Sequence, residues 1–265
     1  YEVNGVIVKK LICMEYGKNT VTILYRVKNK DAKTILKLAP LLNYRDFHKT
    51  STDRIFEVDQ KNIGNKLKVV IDKEYMHPIY MNVTDGKYVP HQNDMFYNMY
   101  YPVEEERGFT SKENHVVPGV YEIEIFPNME KDITFICSLE DNIEEIKAKD
   151  IIDNELRRIN GILYDSNMIN KRDKKSKEQD YLKFMRNYII ATDNFVVKRS
   201  SFGLTTLIAG YPWFLDWGRD SLISFEGILL IPRRYKEARE VILTCVRDIK
   251  YGLVPNGYSG FDNRP

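Results

Sequence analysis

A β-sandwich followed by a helical region is the fold class this sequence predicts, on three observations. Up to about residue 138 the chain alternates polar and apolar side chains in short runs broken by Gly, Pro, Asn and Asp. After Asp141 the apolar spacing changes from two residues to three and four. A charge-rich, apolar-free stretch, Lys171 to Asp180, then separates one helical pattern from the next. The domain boundaries expected from these shifts are 1–140 for the sandwich, 141–180 for a helical and charged linker, and 181–265 for a helical domain.

The strands come first. Thr20 to Val27 is rich in β-branched residues at alternate positions, as a half-buried strand requires. Similar runs lie near Thr34 to Leu42, Lys66 to Ile71, Met95 to Tyr101, Gly119 to Phe126 and Asp132 to Leu139. Many short strands at this spacing predict a sandwich. In the second half, Ile143, Ile146, Ile152, Leu156 and Ile159 recur at helical intervals. Tyr181, Phe184, Met185, Tyr188 and Ile189 form a stripe on a helix expected to run to about Val197. The next helix is expected to start at Asp220 or Ser221, both good N-caps, and to carry Leu222, Ile223, Phe225, Ile228 and Leu229. The last should span about Arg234 to Tyr251 and bury Tyr235, Ala238, Ile242, Cys245 and Ile249, with Gly252 just past its end and Pro255 forbidding continuation. The second half is thus expected to be all helical.

Composition narrows the function classes. Hydrophobic and charged fractions of 43% and 29% are those of a soluble globular protein. No apolar run approaches the roughly 20 residues needed to span a bilayer, so no membrane partner is expected. The net charge is +2, with lysines interleaved among acidic residues, and this leaves no basic stripe for nucleic acid. Cys13, Cys137 and Cys245 lie far apart, which argues against a disulfide framework and predicts a cytoplasmic location. His48, His77, His91 and His115 lack metal-ligand spacing, and there is no phosphate-cradling glycine loop, so neither metal nor cofactor is expected. The chain opens at Tyr1 without a methionine.

The chemistry concentrates in Gly210-Tyr211-Pro212-Trp213-Phe214-Leu215-Asp216-Trp217-Gly218-Arg219-Asp220-Ser221, which holds both tryptophans of the chain. A pyranose offers an apolar face to an aromatic ring, and its vicinal hydroxyls suit an arginine fork and carboxylate oxygens. Trp213, Trp217, Arg219 and Asp220 are therefore the candidate sugar-binding residues, with Asn256 a candidate at the rim. For Asp220 a cap, a ligand acceptor, or both remain open. Glu104-Glu105-Glu106-Arg107 reads as a solvated or salt-bridged edge. Tyr97, Tyr100 and Tyr101 read as sheet packing rather than a glucan platform.

Gly210-Tyr211-Pro212-Trp213-Phe214, Asp216-Trp217-Gly218-Arg219-Asp220-Ser221, Gly227, the run Arg234 to Arg239 and Gly252 to Asn256 together resemble the amylo-α-1,6-glucosidase region of glycogen-debranching enzymes. Leu41 to His48 and Tyr101 to Gly108 resemble the N-terminal sandwich of their bacterial and archaeal members. The resemblance implies a β super-sandwich, a helical linker and the first helices of an (α/α)6 barrel. It also implies inverting hydrolysis of α-1,6 branch points in glycogen or another branched α-glucan. By the same resemblance Arg219 and Asp220 bind sugar hydroxyls at the −1 subsite, lined by Trp217, and Asp220 is a binder rather than the proton donor. The general acid and base are expected beyond Pro265; Asp262 lies in the loop leading to the acid segment. Residues 178–265 supply about three of twelve barrel helices, so a fragment of a longer enzyme, inactive alone, is expected. A glucoamylase-like exo-α-glucosidase and a non-catalytic glucan-binding module are the alternatives.

Overall fold

The structure is a computed structural model that describes residues 1–45, 49–52, 56–72, 77–167, 176–199, 201, 203–211 and 214–257. It divides into two compact units, Tyr1–Glu155 and Leu156 onward, so the division falls within one helix.

The first unit is built from ten strands: β1 (Glu2–Val3), β2 (Val6–Met14), β3 (Thr20–Asn29), β4 (Thr34–Leu38), β5 (Val58–Ile63), β6 (Lys66–Ile71), β7 (Ile79–Val83), β8 (Lys87–Tyr100), β9 (Lys112–Ile125) and β10 (Met129–Ser138). They form a seven-stranded sheet in the order β1-β2-β3-β10-β7-β6-β5 and a three-stranded sheet, β4-β9-β8. One core cluster draws Val27, Val69, Met81 and Ile133 from the larger sheet and Val116, Ile123 and Ile125 from the smaller. That is sandwich packing, each sheet turning its alternate apolar residues inward. The burial alternation of β3 and β6 is the one their sequences predict. β2 carries no such alternation, because Lys9 and Lys10 follow an apolar triplet; its pairing with β3 from Val6↔Asn29 to Met14↔Val21 sustains it.

A buried carboxylate joins the loops of the smaller sheet to β9. Glu113 is fully buried and receives Arg45 through Nε at 2.5 Å and Nη2 at 3.0 Å. The Tyr101 hydroxyl donates at 2.9 Å, and the Ser51 amide and hydroxyl each donate at 3.1 Å. Asn43 in turn donates to Ser51 at 2.9 Å. Burial by itself raises the Glu113 pKa, but these donors and the Arg45 charge outweigh it and hold the carboxyl at about 2. Tyr101 is therefore committed to this network. Tyr97 and Tyr100, by contrast, are 62% and 49% exposed, so the expectation of sheet packing fails for them: their side chains stand on the outward face of β8. The Glu104 to Arg107 run lies on a short helix, α1 (Pro102–Glu106), with no buried residue, as a solvated edge should.

The second unit corrects the all-helical expectation. Helix α2 (Ala148–Ser166) leads into it, and α3 (Ser176–Asp193) ends four residues before the expected Val197. Three strands follow: β11 (Val196–Arg199), β12 (Leu204–Gly210) and β13 (Phe214–Asp216), paired antiparallel in that order. Val196 and Val197 continue the apolar stripe of α3 in sequence, yet they lie opposite Leu207 and Thr206 in a hairpin that suits β-branched side chains. Helices α4 (Gly218–Phe225) and α5 (Tyr235–Arg247) complete the unit, with a π-helical turn at Glu226–Leu230 between them. Helix α5 buries Ala238, Val241, Thr244 and Cys245, whereas Tyr235, Ile242 and Ile249 are exposed. It ends at Arg247, capped by Asp248, so Gly252 belongs to a later turn. Much of the expected Lys171–Asp180 linker, through Lys175, lies outside the described residues.

The Glu113 network makes stability depend on acid. With an ordinary value of 4.5 and about 2 in the fold, its contribution is complete above pH 4.5 and is lost as the pH falls toward 2. Wild type should lose on the order of 3 kcal/mol across that window, read by urea unfolding at stepped pH. Glu113→Gln should be less stable than wild type at pH 7 and show a flatter profile below pH 4.5.

Candidate functional site

The candidate residues of the second unit gather at the start of α4. Trp217 occupies its N-cap position in an extended conformation (φ −113°, ψ 124°) and makes no side-chain capping bond. Gly218 opens the helix and donates its amide to the Asn256 carbonyl at 3.0 Å. A Cβ at Gly218 would strike the Pro255 carbonyl oxygen, so glycine is what allows this close approach. Gly257 lies against the Trp217 ring edge, at about 4.0 Å from a hypothetical Cβ to Cδ2. Trp217, Arg219, Asp220 and Asn256 are thus brought to one place by a backbone contact between residues some forty positions apart in sequence. Trp213 and Asp262 lie outside the described residues.

Helix α4 starts earlier than its sequence suggests. Neither Asp220 nor Ser221 is the N-cap; both fall inside the first turn. The Ser221 hydroxyl donates instead to the Leu207 carbonyl of β12 at 3.1 Å and ties the helix to the sheet. Asp220 is therefore relieved of capping. As a carboxylate in the first turn it is favoured by the helix dipole. Its Oδ2 is buried and accepts no hydrogen bond from any described residue, while Arg219 Nε lies 3.6 Å away. Arg219 is exposed and Trp217 is 37% exposed, so both remain accessible. The Asp220 side chain is itself 43% exposed, so its carboxylate is open to a hydroxyl donor.

Beneath these residues is a pair that sequence reasoning missed. Asp216, 5% exposed, ends β13 and receives Arg199 of β11 in bidentate fashion, Nε to Oδ2 at 3.0 Å and Nη2 to Oδ1 at 2.5 Å. The fork fixes the residue that precedes Trp217. Asp216 lies within the aromatic stretch, but Arg199, next to Lys198 at a strand end, carries no motif signal. A second carboxylate, Asp193 at the end of α3, lies between Arg158 at 2.5 Å and the buried Arg234 at 2.6 Å, and Arg234 also reaches Glu237 at 2.9 Å. Burial raises the Asp193 pKa, but the two arginines prevail and keep it below its ordinary range. Glu240 of α5 accepts from both the amide and the hydroxyl of Thr205, anchoring α5 to β12. Each ion pair therefore links a helix or strand to the frame that carries Trp217.

Removing one partner of the buried Arg199–Asp216 pair leaves a desolvated charge. Arg199→Met should destabilise the chain by about 3 to 5 kcal/mol, and the double change Arg199→Met with Asp216→Leu should recover most of that loss. Urea unfolding of the four proteins checks the cycle.

Comparison with known proteins places the chain among relatives. The family model described as "Glycogen debranching enzyme N terminal" matches residues 1–131, and the model described as "Amylo-alpha-1,6-glucosidase" matches residues 190–265. A glycogen debranching enzyme from Saccharomyces cerevisiae is 41% identical over 56 residues, 19% of this chain and 4% of that protein. The chain thus spans a small part of the length of this relative. A solved structure named as a kojibiose phosphorylase from human microbiome aligns over 71% of this chain and 22% of its own, with a TM-score of 0.27 and 13% identity. No helix among the described residues is long and apolar enough to cross a membrane. The two family models lie in sequence order and together match most of the residues, those of the sandwich and those of the Trp217 site alike; on that ground the chain belongs to the glycogen debranching enzyme family.

Proposed function

We propose that this chain is the N-terminal part of a cytoplasmic amylo-α-1,6-glucosidase that hydrolyses α-1,6 branch points of glycogen with inversion and without a cofactor. In this reading residues 1–140 are the sandwich domain, 141–180 the linker and 181–265 the first part of an (α/α)6 barrel. The observation that carries it is the half-exposed Asp220 carboxylate, 3.6 Å from Arg219 Nε, on the helix start that also bears Trp217 and receives the Asn256 segment.

The chemistry follows from what these groups can do. The Trp217 ring stacks on the apolar face of the terminal glucose. Asp220 accepts from one sugar hydroxyl through the exposed part of its carboxylate, and the Arg219 fork donates to its neighbours. Asn256 completes the rim, and Trp213 is a further sugar-binding candidate from its residue type alone. Held on a helix start that Gly218 and Asp216 fix, these groups orient the sugar without rearranging themselves, and this orientation is the part of the barrier they lower. The bond cleavage itself needs a protonated and an ionised carboxyl group about 6.5 to 9.5 Å apart with a water between them. We assign neither role to Asp220, whose place in the first turn of α4 suits binding, and place both carboxyl groups in the barrel outside these residues.

Glucose release from phosphorylase-limit dextrin tests the reading in a protein extended through the rest of the barrel. The extended protein should release glucose and the 265-residue chain should not. Preference of the extended protein for linear maltooligosaccharides over 6-α-glucosyl branched dextrins would overturn the debranching assignment. Within the extended protein, Asp220→Asn should lower kcat/KM by on the order of 2 to 4 kcal/mol of transition-state binding. Arg219→Lys should also be impaired, since an ammonium does not reproduce the planar fork.

A further inference from the structure

A cleft of about 570 Å³ lies in the first unit, lined by none of the residues assigned to the Trp217 site; Asp59, Gln60, His91 and Gln92 are among its polar residues and Val58 and Val117 among its apolar ones. An irregularity in β8 opens it. Pro90 pairs with Gly119 and Asp94 with Val117, so three residues of β8 face one of β9. Such bulges re-aim side chains, and here they turn His91 and Gln92 toward the cleft.

The floor is held rigidly. The Gln60 amide donates to the carbonyls of His91 at 2.8 Å and Pro118 at 2.9 Å, and its oxygen accepts from the Tyr88 hydroxyl at 2.5 Å. Burial pushes the Tyr88 pKa up to about 12, which keeps that donor protonated. Gly119 is needed for the arrangement, because a Cβ there would meet both the Val89 carbonyl and the Tyr88 hydroxyl. His91 Nδ1 lies 2.9 Å from Asp94 Oδ2, which orients the imidazole. One edge strand, the bulge and β9 are thus fastened together by Gln60.

The lining decides what kind of ligand fits. Among the described residues it holds no lysine or arginine, so an anion finds no fixed counter-charge, and no Phe, Tyr or Trp, so a nucleobase finds no broad platform. It does hold a carboxylate, an amide and an imidazole together with valines and prolines. Hydrogen-bonding groups combined with apolar ones suit the hydroxyls and C–H face of a pyranose. We propose that this cleft is an accessory subsite that takes a short neutral stretch of α-glucan, one to a few glucosyl units, independently of the Trp217 site. The choice of α-glucan over other neutral sugars rests on the substrate class proposed above.

Calorimetric titration of the 265-residue chain with maltopentaose tests this. In a Trp217→Ala background, which removes the stacking ring of the other site, maltopentaose should still bind. Adding Asp59→Asn with Gln92→Ala should weaken that binding at least about tenfold while the melting temperature stays unchanged. Should the double change lower the melting temperature, Gln92→Ala alone, at an exposed position, should still weaken binding severalfold. Absence of binding in the Trp217→Ala chain, or binding that both cleft variants leave intact, overturns the proposal. Failure of the hydrolase reading is separately visible: limit dextrin would go uncleaved by the extended protein while cleft-dependent maltopentaose binding persisted.

Discussion

A carboxylate removed from water must be met by a cation and by hydrogen bonds, and in the second unit that requirement is what holds the candidate site in place. Asp216 ends a three-residue strand and stands immediately before Trp217. Arg199 meets both of its oxygens. Because the fork is planar and bidentate, it sets the orientation of Asp216 as well as its position. From there the chain turns directly into α4, so the direction in which Trp217, Arg219 and Asp220 project is set by a pair that touches none of their side chains. Gly218 supplies the second restraint, since only an absent Cβ lets the Pro255–Asn256 backbone come within hydrogen-bonding reach.

The same physical device recurs through the molecule. Glu113 in the sandwich is met by Arg45, Tyr101 and Ser51, and Asp193 is met by Arg158 and Arg234. Replacing such pairs by apolar residues need not reduce stability, so their value lies in geometry. A hydrophobic core tolerates small slides, whereas a bidentate ion pair does not. Asp220 differs from them in exposure: its side chain is 43% exposed and lies 3.6 Å from the exposed Arg219.

Large apolar side chains stand exposed on the helices of the second unit, as others do on the sandwich. Tyr181, Phe184 and Tyr188 of α3 lie on its outer face, with Phe184 and Tyr188 stacked at 6.0 Å between ring centres. Ile223 of α4 and Val246 of α5 are also largely exposed. A two-sheet core is closed by its own strands, and the sandwich accordingly buries an extensive cluster. The second unit buries a smaller one, built on Val196, Leu207, Leu229, Ala238 and Val241.

Sequence by itself determined the sandwich, the switch to helix and the residue types of the candidate site, because side-chain alternation, helical spacing and the affinity of Trp, Arg and Asp for sugars are local or chemical properties. Tertiary structure decided the rest. The hairpin β11–β12 follows α3 without a break in apolar character, and only the pairing of Val196 and Val197 with β12 makes it a strand. Helix α4 begins at Gly218, a poor helix former that no local rule selects, because a distant carbonyl at Asn256 takes its amide. Arg199 became legible only when folding set it against Asp216, and the bulge of β8 only when β9 showed which residues it left unpaired. Periodicity reports which face of an element is buried; it carries no information about which distant backbone or charge will meet that face, and the site depends on those meetings.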